Sequence, residues 1–162
     1  HTLCFDASGS QQYPQWCILK SGLYEETYRA IDFMYEGNQI TVADKNEGVI
    51  GNLAFNKSSQ YDKQVEHILY TPMAKADNAR VFDLELEAST GVAQIADKLF
   101  LSATTDGINF GREQMIEQNS PFQYDRRVLW RRVGRVRKNI GFKVRVITKS
   151  PVTLSDLSMR VE

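Results

Sequence analysis

The chain has 162 residues, of which 42% are hydrophobic and 25% charged, enough apolar material for a folded core and too much for a disordered tail. Its 20 Lys and Arg balance 20 Asp and Glu, so the net charge is zero and nothing marks it as a general polyanion binder. No run approaches the roughly 18 to 20 apolar residues a bilayer helix needs, and the start HTLCFDASG lacks the basic and apolar regions of a secretory leader, so a soluble chain without membrane partners is expected.

The chain enters at once on the apolar run Leu3-Cys4-Phe5, which suggests that it begins inside a longer protein. Cys4 and Cys17 can fall on neighbouring strands, but two thiols are no disulfide framework, and reduced, half-buried thiols are expected. With only His1 and His67 besides, the usual ligand spacing of a zinc site cannot be assembled, and no metal or cofactor is expected. Three short apolar segments follow, Tyr28 to Tyr35, Gln39 to Val42 and Val49 to Phe55. They are separated by Glu36-Gly37-Asn38 and by Asp44 to Gly48, whose Gly and Asn can supply positive φ at hairpin turns. A fourth segment, Gln64 to Tyr70, closes at Thr71-Pro72, where proline cannot donate to a continuing ladder. Four strands so spaced resemble one propeller blade or a meander, and without a second copy a whole propeller does not fit in this chain.

Further on, Val81 to Glu87 alternates, which predicts a strand with Phe82, Leu84 and Leu86 towards a core and Asp83, Glu85 and Glu87 outward. Phe142, Val144 and Val146 likewise share one face, with Lys143 and Arg145 on the other. Helix signals are confined to one or two turns over Gly91 to Lys98 and another over Arg112 to Glu117. The predicted fold is all-β with very little helix. An antiparallel meander or propeller-blade-like sheet over residues 1–76 precedes a C-terminal β-module over 77–162.

Thr104, Asp106, Gly107 and Phe110 have the spacing of an Asp-box, a hairpin in which a carboxylate accepts hydrogen bonds from turn N–H groups, Gly permits the reversal and an aromatic ring folds back. Such hairpins are structural. Asp83, Glu85 and Glu87 line one strand face, whereas a glycosidase needs two carboxyls opposed across a cleft at about 5 Å or about 6.5 to 9.5 Å, so a solvated stripe is the preferred reading. His67 has no nucleophile motif beside it and reads as a strand-surface residue, and no phosphate-cradling Gly-rich loop appears. No catalytic residues, and no enzyme, are expected. From Arg126 to Lys149 there are ten Lys or Arg and no acid. Within that run, Arg126, Arg127, Arg131, Arg132, Arg135, Arg137 and Lys138 are candidates for a subunit interface or for phosphates of DNA, against the plainer reading of solvated strand faces. Trp130 reads as a core anchor rather than a stacking platform.

The last third, RVLWRRVGRVRKNIGFKVRVITKSPVTLSDLSMRVE, resembles the closing segment of tail hub or nozzle proteins of short-tailed phages, the packaged-DNA stabilization family. The positions that carry it are Trp130, Gly134, Arg137, Phe142, Arg145, Val146, Pro151 and Val152. Upstream, Trp16, Ala43-Asp44 to Gly48, Thr71-Pro72, Phe82 to Glu87 and Ser102 to Phe110 follow the family's order, with Ala43 where Gly is common and Phe110 in place of Trp. The resemblance implies the C-terminal portion of a structural virion protein, assembled in the host cytoplasm and located in the tail. It implies a ring, expected to be a hexamer of this chain's own kind, below the portal and its adaptor ring. There it would carry the tail needle and tailspikes, close the channel and help retain packaged double-stranded DNA, with direct DNA contact an indirect expectation. The rival readings are a carbohydrate-binding or carbohydrate-active propeller fragment and a DNA-binding β-module.

Overall fold

The computed structural model describes residues 2–6, 15–24, 26–54, 56–93, 97–118 and 120–162. Every helix or strand element among them is a strand: β1 (Thr2–Asp6), β2 (Gln15–Ser21), β3 (Glu26–Thr27), β4 (Ala30–Glu36), β5 (Gln39–Asp44), β6 (Ile50–Leu53) and β7 (Val65–Tyr70). They continue as β8 (Ala74–Lys75), β9 (Arg80–Ala88), β10 (Lys98–Thr104), β11 (Gln114–Glu117), β12 (Val128–Arg135), β13 (Asn139–Thr148) and β14 (Leu154–Val161). The chain divides into two compact units, His1–Val65 and Glu66–Glu162.

The first unit holds two antiparallel sheets, ordered β1-β2-β3 and β4-β5-β6. The second is the predicted blade-like meander, reversing at Gly37, whose φ of 61° suits a residue without a Cβ. It has three strands and not four. The fourth segment, β7, lies all but Val65 in the second unit and pairs there with β13. β8 also pairs with β13, through Lys75 opposite Asn139, which leaves 66–76 with the C-terminal strands.

The second unit stacks a sheet of order β11-β10-β13-β7 on one of order β12-β9-β14. Alternation makes this a sandwich: Leu99 and Leu101 of β10 with Phe142, Val144 and Val146 of β13 meet Val81, Leu84 and Leu86 of β9 with Val128 and Trp130 of β12 in one buried cluster. At roughly 25 cal/mol per Å² of apolar surface removed from water, that cluster dominates the stability of the unit. Trp130 is 2% exposed and donates its indole N–H to the carbonyl of Gln114 at 3.2 Å, as suits a core anchor.

Two local expectations need correction. Phe82 is not a core residue; Val81 is, at 0% exposure. The pairing slips on both sides of β9 here, between Arg131 and Gly134 of β12 and between Arg160 and Val161 of β14, and a slip of one residue exchanges the faces. Phe82 is turned outward beneath Arg80 and Arg160, whose guanidinium carbons lie 4.9 and 6.0 Å from its ring centre. The expected helical turn over Arg112 to Glu117 is instead β11, paired with β10 from Leu101 opposite Gln114 to Lys98 opposite Glu117. Its β-partner supplies the backbone hydrogen bonds that a short helix without an apolar stripe would have had to find locally. Of Gly91 to Lys98, residues 94–96 lie outside the described residues, and Lys98 opens β10.

Candidate functional site

The Asp-box-like segment closes the turn after β10. Asp106 Oδ1 accepts from the N–H of Ile108 at 2.9 Å and of Asn109 at 2.7 Å and from the hydroxyl of Thr104 at 2.9 Å. Asp106 Oδ2 accepts from the Asn109 amide at 2.7 Å. Gly107, at φ 79°, donates its N–H to Thr104 Oγ1 at 2.9 Å. The Asn109 amide, with the Ile108 and Asn109 N–H groups and Thr104, holds the Asp106 carboxyl well below the usual carboxylate range. The Phe110 ring meets Tyr70 of β7 edge-on at 5.7 Å, with the Lys143 ammonium 6.0 Å from its centre. Both carboxylate oxygens of Asp106 are engaged by its own turn.

A second carboxylate organises the first unit, and the segment Asp44 to Gly48 was legible only as a turn. Asp44 Oδ1 accepts from the N–H of Asn46 at 2.7 Å and of Glu47 at 3.0 Å, and from Arg29 Nε at 3.2 Å. Its Oδ2 accepts from the Tyr61 hydroxyl at 2.8 Å and pairs with Arg29 Nη2 at 2.9 Å. Burial of the Asp44 side chain pushes its pKa up, but the N–H of Asn46, the Tyr61 hydroxyl, the N–H of Glu47 and Arg29 outweigh it and bring it down to about 2. Arg29 also reaches Glu47 at 2.9 Å and lies over the Tyr61 ring at 5.6 Å. Arg29 and Tyr61 carry no sequence signal that ties them to Asp44; only an Asx turn at Asp44-Lys45-Asn46 could have been read.

On the sandwich, the acidic stripe of β9 is at the surface but is paired within the chain rather than left to solvent alone. Arg127 grips Glu85 with both ends of its guanidinium, at 2.7 and 2.6 Å, and the hydrogen bond lowers the Glu85 pKa. Arg160 pairs with Asp83, and Ser155 donates to Glu87 at 3.4 Å. On β13, Arg145 bridges Glu113 and Glu66, at 2.5 and 2.9 Å, with its guanidinium carbon 4.2 Å over the Phe100 ring. Arg126 donates to Ser120 at 2.7 Å and stands 3.9 Å from Glu117.

The basic run is therefore split. Arg126, Arg127 and Arg145 hold strands and turns together. Arg131, Arg132, Arg135, Arg137 and Lys138 are exposed on the edge strand β12 and the turn into β13, and no ion pair to any of the five is found among the described residues. Arg132, at φ 59°, and Gly134, at φ 138°, shape the irregular stretch that presents them. Arg132 and Arg135 share an open cleft with Asn78, Arg80, Gly134 and Glu162, where Arg80 and Glu162 exchange backbone hydrogen bonds at 2.8 and 3.0 Å. This concentrates positive charge at one end of one sheet, a surface able to hold anionic groups.

His67 is exposed on β7. Cys4 and Cys17 are free thiols placed directly opposite one another on β1 and β2, Cys4 half-buried and Cys17 exposed rather than half-buried. Partial burial and a hydrogen bond with Cys4, with the charges of Cys4 and Asp6, push the Cys17 thiol up.

Comparison with known proteins places these features in a family. Residues 66–162 match the model described as the β-sandwich of bacteriophage P22 Gp10, and residues 1–58 match the one described as its β-propeller. The tail hub protein gp10 of Salmonella phage P22 is 72% identical over all 162 residues, which are 34% of its own length, so the chain spans about a third of that relative. Among solved structures, the module TmCBM61 in complex with β-1,4-galactotriose superimposes with a TM-score of 0.44 at 16% identity, over 62% of this chain and 66% of its own. That likeness is too slight to carry an argument about ligands. The two matched domains, in this order and with the sandwich covering more than half of the residues, establish that the chain belongs to the bacteriophage P22 Gp10 family.

Proposed function

We propose that the chain is part of a non-enzymatic tail hub of a phage virion, a β-rich ring component that helps close the channel and retain packaged DNA. The observation that carries this reading is the 72% identity, along the whole chain, to a tail hub protein. The geometry is in keeping with it. The carboxylates that a catalytic reading would draw on, Asp83, Glu85 and Glu87, each have a partner across a strand pair. Such cross-ties suit a wall under load. In the virion the ring is taken as a hexamer that joins the portal and its adaptor ring and carries the needle and tailspikes. Mixing the full-length protein with portal and adaptor rings tests this, with co-sedimenting complexes expected; failure to join them would overturn the tail-hub reading.

A second reading concerns the basic cluster and is favoured by the state of the acids. Because Asp83 and Glu85 already have partners within the chain, head-to-tail docking of this acidic stripe on a neighbour's arginines would only exchange one exposed pair for another. Arg131, Arg132, Arg135, Arg137 and Lys138 are thus better suited to phosphates of channel DNA. Duplex binding is expected to weaken with salt, and Arg131→Gln with Arg135→Gln to lower the log–log slope by about 1 to 2. Binding with a slope unchanged by these substitutions would remove the cluster from DNA contact.

A further inference from the structure

The antiparallel register of β1 and β2 sets Leu3 opposite Ile18, Cys4 opposite Cys17 and Phe5 opposite Trp16. Alternation sends Leu3, Phe5, Trp16 and Ile18 to one face of the ribbon and both cysteines to the other. The aromatic pair fixes the register beside the thiols, with the rings of Phe5 and Trp16 4.8 Å apart. Residues directly opposed in an antiparallel ladder have Cα atoms about 4.5 to 5.5 Å apart, within the roughly 4.4 to 6.8 Å that a disulfide spans. Cys17 is open to solvent.

We propose that Cys4 and Cys17 are a redox modification site, closing to a cross-strand disulfide by exchange with a low-molecular-weight disulfide such as oxidised glutathione. The thiolate of Cys17, the exposed partner, attacks one sulfur of the oxidant and expels the other as a thiolate, leaving a mixed disulfide. The thiolate of Cys4 then attacks the Cys17 sulfur, forming the Cys4–Cys17 bond and expelling the second small thiolate. The two thiol protons end on the two released small thiols, so two protein thiols are oxidised as one small disulfide is reduced. The bond ties β1, whose one partner among the described residues is β2, into a register from which a slip would exchange its apolar and thiol faces. On the tail-hub reading, such a bond would form as particles leave a reducing cytoplasm for an oxidising medium. The chemistry itself does not depend on that reading.

The test equilibrates the whole chain in buffers of graded reduced and oxidised glutathione, quenches with iodoacetamide and maps the cysteines by mass spectrometry, in native buffer and in urea. The expected result is an intramolecular Cys4–Cys17 peptide that in native buffer forms at an oxidised-to-reduced ratio at least about tenfold lower than in urea. This follows because thiols on a flexible tether meet only at about millimolar effective concentration. Cys4→Ser should convert the product to a glutathione adduct on Cys17. The proposal is overturned if both thiols stay alkylatable in the most oxidising buffer, if they end as separate glutathione adducts or intermolecular dimers, or if native and urea values coincide.

Discussion

Asp44 and Asp106 do the same work in two different settings. Each carboxylate takes the N–H groups two and three residues ahead, at 2.7 and 3.0 Å for Asp44 and at 2.9 and 2.7 Å for Asp106, so each is a local turn clasp. Asp44 is further tied to Arg29 and Tyr61, fifteen and seventeen residues away, which makes it a fastening of the unit rather than of the turn alone. Its folded pKa of about 2 lies below the ordinary 3.8, so ionised Asp44 stabilises the fold fully above about pH 4, and that contribution is lost as pH falls towards 2. Urea unfolding followed through the Asn46 and Glu47 amides should accordingly show a midpoint insensitive to Asp44 ionisation from neutrality to about pH 4 and an acid-side decline below it. Asp44→Asn should lower the neutral midpoint and erase the part of that decline due to Asp44; an undiminished decline in the variant would assign it elsewhere. Asp106 was recognisable from sequence because all of its partners lie within three residues. The Arg29 and Tyr61 contacts were not, since nothing local signals a partner that arrives through the fold.

At the scale of strands, period-two patterning located β9 and β13 and assigned Phe142, Val144 and Val146 to the core. It failed at one place for a definite reason. A run that reads Val81-Phe82-Asp83-Leu84 alternates cleanly only if the pairing is regular, and here β12 carries one extra residue opposite β9 while β9 carries one opposite β14. Such slips depend on both neighbours and leave no mark in the strand that they affect. The same blindness to pairing partners made β7 look like a fourth strand of the meander, when its hydrogen bonds go to β13, far along the chain. The corrected register makes a prediction opposite to simple size. Val81→Ala removes two wholly buried methyl groups and should cost about 2 kcal/mol, whereas Phe82→Ala, although it removes a larger group, should cost less than about 1.5 kcal/mol. Chemical denaturation of the two variants ranks them, and a larger loss for Phe82→Ala would restore the regular register.

Across the chain as a whole, equal numbers of acids and bases conceal an unequal use of them. Acids on β9, on β11's approach and at the Asp44 turn are drawn into pairs, and the surplus positive charge collects on β12 and its turn, a distribution that depends on contacts and not on composition. Charge of one sign can gather there because the strand beneath it is anchored from the inner side. Trp130 lies between exposed Arg131 and half-buried Leu129 yet is itself 2% exposed, filling the core and binding Gln114 of β11 across to the other sheet. Removing it should open a large cavity and take away the donor to the Gln114 carbonyl, so Trp130→Ala is expected to destabilise the sandwich by about 3 to 5 kcal/mol. Trp130→Phe keeps most of the volume but not the N–H, and should fall between the variant and the parent. Urea denaturation followed through the Val144 and Val146 amides of β13 reads the core directly. If Trp130→Ala left the midpoint within about 0.5 kcal/mol of the parent, Trp130 would not be the anchor of this sandwich, and the presentation of Arg131 to Lys138 would need another support.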